Sequence, residues 1–510
     1  MAIVLSSYSL IGITALPVKI EVEVSSGMPI FSIIGMAGTS VQEAKDRIRS
    51  AIQHFGFRFP LTRKVVNLAP AELHKQGSHF DLPIALGFLM ATEQMGLIGK
   101  DVLVIGELGL NGEVRPVRGA FLATLFAKEN GFKELVLPRE NLAEASLVDG
   151  VDLIPVTSLE EAVNHFCKAR RIPEKVQMDA VDFAWPLDFS DIAGHSSVKR
   201  AMLVAGAGNH HVLFNGPPGS GKSLIAQTFP SILPALSKEE TMQVLRVHSV
   251  AGDTLHSVEL RRPFRSVHHR ATAFQLFGGG PALSPGEVSL AHRGVLFMDE
   301  LPEFDRSVLE GMREPMERKT LTMRFGHHAC EYPCQFQMIA TQNPCPCGHL
   351  GDPEKRCVCS GAEISRYKRK VSGPILDRID IHTEVPRLPY EDFKLGGNEN
   401  SAQMRERICD ARARQMARNV GTGNDAILTN QEMTPRMIKA ERLDLKSEDL
   451  LATATKHYAL SGRGVHRTIK IARTIADLEG SSWISYEHLM EALQYRAKGG
   501  FCATIGNDKT

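Results

Sequence analysis

The sequence predicts an α/β chain: a parallel-sheet core, preceded by an α+β unit and followed by a helical one. Three observations predict it. From "HVLFNGPPG" (211–219) onward, short apolar strands alternate with helical stretches, as in a parallel sheet. Ahead of residue 165 strands and helices also mix, beginning with "VKIEVEV" (18–24), whose period of two marks a half-exposed strand. Beyond residue 386 the pattern turns helical, in "SAQMRERICDARARQMARN", "EDLLATATKHYAL", "HRTIKIARTIADLEG" and "SYEHLMEALQYR".

A chain of 510 residues is too long for one core. The expected division is 1–168, a linker at 169–190, a core at 191–385 and a helical unit at 386–510. The linker reading rests on "RRIPEKVQMDAVDFAWPLDFSD" (170–191), which mixes charge, proline and tryptophan without periodicity. The net charge of +1 gives no global basic field, so any nucleic-acid contact must come from local patches or from a ring that concentrates them. "MAIVLSSYSLIGITALP" carries no Lys or Arg before Lys19, which argues against a signal peptide. The purest apolar run, "LPIALGFLMA", is about half a membrane span. A cytoplasmic chain with no membrane partner is expected, and its nine cysteines read as reduced thiols and metal ligands.

Taken in order, "SVQEAKDRIRSAIQHFG" predicts a helix opened by a Ser40–Glu43 capping box and stopped at Gly56. "KVVNLAP", "LVIGELGL" and "ELVLP" follow as short strands. "GPPGSGKS", comprising Gly216, Pro217, Pro218, Gly219, Ser220, Gly221, Lys222 and Ser223, sits between an apolar strand and a helix. Glycines there let backbone N–H groups curl around phosphates at a helix N-terminus, Lys222 reaches the β- and γ-phosphates, and Ser223 ligates Mg²⁺. ATP and Mg²⁺ are therefore the expected cofactors. "GVLFMDEL" ends a second strand in Asp299, a Mg²⁺ ligand, and Glu300, which would orient and deprotonate the attacking water. "FQMIATQNP" ends a third in Asn343, placed to position that water. "SGPILDRIDI" presents Arg378, either a salt-bridged surface residue or a finger for a neighbour's γ-phosphate.

This order of motifs, completed by "SGRGVHR", resembles the AAA+ ATPases, within them the magnesium-chelatase/MCM-like clade, and most closely the ComM/YifB family. "RPFRSVHHRA", "GGGPALSPGEVSLAHRGVLFMDELPEF", "REPME", "NPCPCG" and "SGPILDRIDI" carry the resemblance over nearly the whole chain. It implies an AAA+ P-loop NTPase core with a helical lid, and a homo-hexamer. Asn343 becomes sensor 1, Arg378 the arginine finger, and Arg463 a sensor 2 residue linking nucleotide state to lid motion. It further implies action on single-stranded or branched DNA as a branch-migration motor, with recombination proteins as partners. The surplus between Lys222 and Asp299, "VLRVHSVAG" with "RPFRSVHHRATAFQLFGGG", is expected to form a helix 2 insert hairpin, and "KTLTMRFGHHACEYPCQFQ" a pre-sensor 1 hairpin. Arg265, His268, His269, Arg324, His327 and His328 are their candidate DNA contacts; for the histidines a solvated or interface role competes. Two positions depart from the family pattern: Val267 replaces a proline, and Gly194-His195 replaces Gly-Gln.

"GELGLNGEVRPVRGA" (106–120) resembles the Lon protease domain and its relative in RadA. The Ser–Lys dyad that such a protease needs is missing. His79 stands at the nucleophile's place with Ser78 one residue early, and Phe121 stands at the lysine's. The resemblance thus implies an inactive Lon-like α+β domain, a scaffold. The rival functions are a magnesium-chelatase-like motor that remodels a protein partner, and a Lon-like protease or unfoldase.

"TQNPCPCGHLGDPEKRCVCS" (341–360) has the spacing C-x-C-x₉-C-x-C in Cys345, Cys347, Cys357 and Cys359. Four thiolates suit tetrahedral Zn²⁺, and the loop is long enough to fold one pair back on the other. Reduced free thiols or a redox disulfide are the alternatives; Cys330 and Cys334 read as core or loop thiols. Inserted between Asn343 and Arg378, the knuckle is expected at a subunit interface or pore mouth. After it, Arg366, Lys368, Arg369 and Lys370 surround Tyr367 in "EISRYKRKVSG", as a phosphate-facing patch or a solvated helix face.

Overall fold

A computed structural model describes residues 2–496 apart from 37, 76, 169–170, 177–184, 253–260, 353, 389–398, 420–428 and 458–459. Its described residues form two main sheets. The first has seven strands in the order β3-β4-β2-β1-β5-β8-β9: β1 (Ile3–Ile11), β2 (Thr14–Ser25), β3 (Phe31–Ile34), β4 (Arg63–Ala69), β5 (Val102–Val104), β8 (Glu134–Pro138) and β9 (Asp152–Val156). A small hairpin, β6 (Glu107–Leu108) with β7 (Val114–Arg115), stands beside it. The long β1–β2 pair turns at Gly12, whose φ of +56° suits glycine. Sequence patterning gave β2, β4, β5 and β8 but not β1. That strand lies between β2 and β5 with Ser7 and Ser9 buried beside Tyr8, so no alternation of apolar and polar residues marks it. The helix Thr39–His54 begins after Gly38 without a side-chain cap, so the Ser40–Glu43 box does not form. Ser40 Oγ instead accepts the Gly77 N–H at 3.2 Å. Gly56 does follow the helix in the left-handed region.

The second sheet is wholly parallel, in the order β11-β14-β17-β10-β18: β10 (Val212–Asn215), β11 (Phe264–Val267), β14 (Val295–Met298), β17 (Gln337–Gln342) and β18 (Ile381–Glu384). "FRSV" is therefore a core strand and not part of an inserted hairpin; Arg and Ser in a four-residue strand hid its nature. Among the described residues the excursions are a two-residue ladder, β12 (Gly278–Gly279, the end of the stretch expected to form the insert hairpin) with β13 (Ser284–Pro285), and the hairpin β15 (Thr320–Phe325) with β16 (His328–Pro333). The latter falls where the pre-sensor 1 hairpin was expected; residues 253–260 lie outside the described residues.

Five helices end the described chain: Ser401–Asn419, Pro435–Ala440, Leu445–His457, Gly462–Leu478 and Tyr486–Gln494. They share one continuous apolar core with helix Ser196–Gly208 and the parallel sheet, through residues such as Ile408, Ile471, Ile475 and Leu489. Asp477 fastens this bundle, receiving Arg418 at 2.7 Å and Arg473 at 2.9 Å.

The two sheets are joined by packing as well as by the chain. Phe121, Leu122, Leu125 and Val148 enclose Leu245 on helix Lys238–Ala251. The Gly119 N–H donates to Ser249 O at 3.0 Å, and the Ser249 hydroxyl to Glu144 at 3.3 Å. The Gly12 turn lies against Cys330 of β16. Within the expected linker, residues 171–176 are strapped to the first sheet: the Glu174 N–H donates to Leu153 O at 2.9 Å, and Arg139 pairs with Glu174 at 3.0 Å. Residues 177–184 lie outside the described residues. Among described residues no helix is long and apolar enough to cross a membrane.

Candidate nucleotide site and thiolate cluster

Strands β10, β14 and β17 end at one edge of the parallel sheet, and their C-terminal ends gather five of the sequence-predicted residues. The loop Gly216–Gly221 links β10 to helix Lys222–Thr228. A Cβ on Gly216 would meet Val385 O at 2.2 Å, so only glycine fits there. Gly219 and Gly221 adopt φ of +75° and +88°. His195, one of the departures from the family pattern, lies beside Gly221. The Lys222 ammonium donates to Gly216 O (2.7 Å), Pro217 O (2.8 Å) and Asn343 Oδ1 (3.3 Å). Burial draws it below the usual lysine range, against the pull of Asp299 and Glu300. Ser223 Oγ donates to Asp299 Oδ2 at 3.4 Å, so a hydroxyl and a carboxylate already face each other as a cation pair of ligands would.

Two further residues belong here. The Thr341 hydroxyl donates to Asp299 Oδ1 and accepts the Glu300 N–H at 2.9 Å. That bond holds Glu300 at φ +55°, a conformation costly for a non-glycine residue. His269 Nδ1 stands 3.5 Å from Glu300 Oε2. The signal for Thr341 was a lone hydroxyl in the apolar run before Asn343. For His269 it was proximity that only the β11-β14 adjacency reveals.

Arg378 and Arg463 are not brought to this cluster. Arg378 precedes β18, and the next residues are tied to the start of β10: Asp380 N–H donates to His211 O at 3.1 Å, and the His211 N–H returns to Asp380. Arg467 and His210 hold the Asp380 carboxyl below the usual range although burial alone would raise it. Arg378 thus occupies the N-terminal edge of the sheet. At about 3.3 Å per residue, the path from His211 to Gly216 spans roughly 17 Å. Arg463 joins Arg378 at that edge: Arg378 Nη2 lies 2.5 Å and Arg463 Nη2 2.9 Å from the two oxygens of Glu317.

The four predicted thiols do converge. Their sulfurs all lie within 4.8 Å of one another, with Cys345 3.4 Å from Cys347 and 3.6 Å from Cys357. A tetrahedral zinc at about 2.3 Å from each sulfur needs S···S separations of roughly 3.8 Å, so the residues fit the ion. Backbone N–H groups of His349 and Val358 draw the Cys347 thiol down to about 6. The knuckle stands against the nucleotide loop: a Cβ on Gly348 would meet Pro218 Cδ at 2.5 Å. His349 and Arg387 both face Asp352, at 3.2 and 3.7 Å. Cys330 and Cys334 lie apart from the cluster, buried, and burial pushes Cys334 up to about 12.

The remaining candidates divide. Arg265 is held by Glu287 through bonds of 2.5 and 2.9 Å on strand β11, while Arg324, His327 and His328 are exposed at the β15–β16 tip. His268 lies against His269, the ring centroids 4.1 Å apart and the planes tilted by 33°. Val267 is packed in the core. Arg366, Lys368 and Arg369 are exposed; Lys370 pairs with Glu303 at 2.8 Å, and Tyr367 is buried. In the first sheet His79 is stacked on Tyr8, its Nε2 2.8 Å from Tyr8 O, and burial lowers it to about 4. Ser78 donates to Glu107. Phe121 lies in the seam against Leu245, so the place where a dyad lysine would stand is filled by a docking contact.

Family models described as "Magnesium chelatase, subunit ChlI", "Subunit ChlI of Mg-chelatase" and "Magnesium chelatase, subunit ChlI C-terminal" match residues 188–393, 20–141 and 398–496. The chain is 40% identical to the competence protein ComM of Haemophilus influenzae, over 98% of this chain and 97% of that protein. It is 37% identical to the uncharacterized protein YifB of Escherichia coli, over 96% and 95%. A segment covering 31% of the chain is 30% identical to 20% of the Lon protease of Rhizobium meliloti. With nearly full-length identity at this level, the chain belongs to the ComM/YifB family of magnesium-chelatase-like AAA+ proteins.

Proposed function

We propose that this protein is an ATP-hydrolysing motor, assembled as a homo-hexamer, that moves single-stranded or branched DNA and drives branch migration of recombination intermediates. One observation carries the reading. The hydrolytic residues sit at the C-terminal ends of the strands while Arg378 sits at the opposite edge, so the site lacks a finger until a second copy supplies one. In the proposed division, residues 1–168 form an inactive Lon-like scaffold, 169–190 a linker, 191–385 the AAA+ core and 386–510 a helical lid.

Lys222 and the backbone of Gly216–Ser223 bind the phosphates. Ser223 and Asp299 hold Mg²⁺, which supplies charge neutralisation between the phosphates when bound. Glu300 takes the proton of a water that Asn343 orients, and the neighbour's Arg378 meets the charge that develops on the transferred group. Cys345, Cys347, Cys357 and Cys359 hold a structural Zn²⁺ whose role is to brace the loop at Pro218. The likeness to a competence protein favours a DNA substrate, and the cytosol is the matching compartment.

The family-model descriptions favour a second reading, a chelatase-like motor that remodels a protein partner. ATP hydrolysis measured with and without single-stranded and branched DNA separates the two. The motor reading expects DNA to stimulate hydrolysis, and Glu300→Gln to bind ATP while losing turnover about a hundredfold or more. Hydrolysis indifferent to every DNA form moves the assignment to the protein-remodelling reading.

A further inference from the structure

Arg378 and Arg463 come from separate parts of the chain yet end on one carboxylate. Glu317, in the last turn of helix Arg313–Arg318, gives one oxygen to Arg378 at 2.5 Å and the other to Arg463 at 2.9 Å. The Arg378 guanidinium is otherwise fixed: Nη1 donates to Pro374 O at 2.8 Å, and its side chain is 8% exposed. Its buried Nε has no acceptor among the described residues. Glu317 and Arg463, by contrast, face solvent, with side chains 52% and 65% exposed. The arginines keep the carboxyl below its usual range, so it is an anion at neutral pH. An exposed carboxylate bridging two guanidiniums offers them the forked pair of anionic oxygens that a phosphoryl group would offer.

We propose that Glu317 is a positioning residue: it holds Arg378 and Arg463 side by side at the subunit-contact edge, as a stand-in for the neighbouring copy's terminal phosphate, which displaces it on assembly. The inference rests on the shared-site reading above and adds to it the residue that pairs the two arginines. Without Glu317 the arginines are less ordered before the phosphate arrives, and no carboxylate competes with that phosphate. Turnover and the half-saturating ATP concentration should therefore fall together, a split that mere loosening of the fold does not produce.

The test mixes two disabled copies. Lys222→Ala keeps its arginines but has no working nucleotide loop; Arg378→Ala keeps the loop but has no finger. Each is expected to be inactive alone and the mixture active. Glu317→Gln is then added to the Lys222→Ala copy, the arginine donor. The expected result is a fall of about two- to fivefold in both turnover and half-saturating ATP, the scale of a partly exposed ion pair. Added to the Arg378→Ala copy, whose finger is already gone, the same change should add nothing. An unaltered mixture, or equal effects from either copy, overturns the role of Glu317. If the starting mixture never regains activity, the shared-site reading itself fails, which keeps the two failures apart.

Discussion

Thr341 shows how a single hydroxyl organises the candidate site. It donates to Asp299 and accepts from the Glu300 backbone, so it ties together the residues proposed to hold Mg²⁺ and to activate water. Thr341→Val keeps the shape and leaves the Glu300 N–H and Asp299 short of a partner. Loss of a buried hydrogen bond of about 1–3 kcal/mol should lower turnover roughly tenfold, with Thr341→Ser retaining most of it. Steady-state ATP hydrolysis checks this. Lys222, Ser223, Asp299, Glu300 and Asn343 were legible in the sequence because each lies in a strand-to-loop motif whose residues are neighbours in the chain. Thr341 stood in one of those motifs without a recognised partner. His269 read only as a candidate DNA contact, because its place beside Glu300 depends on which strands are adjacent. Motif order makes Arg463 a sensor 2 residue linking nucleotide state to lid motion, and only the fold shows it beside Arg378 on Glu317.

Among the elements, the thiolate knuckle changes meaning most. Its spacing predicted the four ligands, but its address came from packing: Gly348 touches Pro218 of the phosphate loop. Removing the metal should therefore act through ATP binding more than through global stability. Cys345→Ser, or treatment with a strong chelator, is expected to raise the half-saturating ATP concentration several-fold and to lower the bound zinc from about one per chain. Metal analysis alongside hydrolysis kinetics checks both halves. Strand β1 and strand β11 were missed for opposite reasons. One is covered on both faces and carries buried serines; the other is four residues long and contains an arginine held by Glu287. Periodicity reports neither condition.

At the scale of the whole molecule, the first sheet grips elements that lead into the nucleotide site, through Leu245, Ser249 and the hairpin residue Cys330. Glu144 lies in that seam, and burial raises its carboxyl from an ordinary 4.5 to about 7, against hydrogen bonds from Asn141 and Ser249. A carboxyl held protonated by folding contributes stability that is complete below about 4.5 and lost as pH rises through about 7, a change on the order of 3 kcal/mol. Thermal unfolding across that range should show the decline, and Glu144→Gln should flatten it. The broad plan of α+β unit, parallel core and helical end was legible from periodicity, whereas the docking between units was not, because Phe121 and Leu245 are simply apolar until they meet. The central claim is that one copy's Arg378 completes another copy's site. ATP turnover per chain, measured against protein concentration for wild type and Arg378→Ala, tests it most directly. A shared site predicts turnover that climbs with concentration and an Arg378→Ala rate lower by about a thousandfold. Turnover independent of concentration, with Arg378→Ala hydrolysing at the wild-type rate, would contradict it.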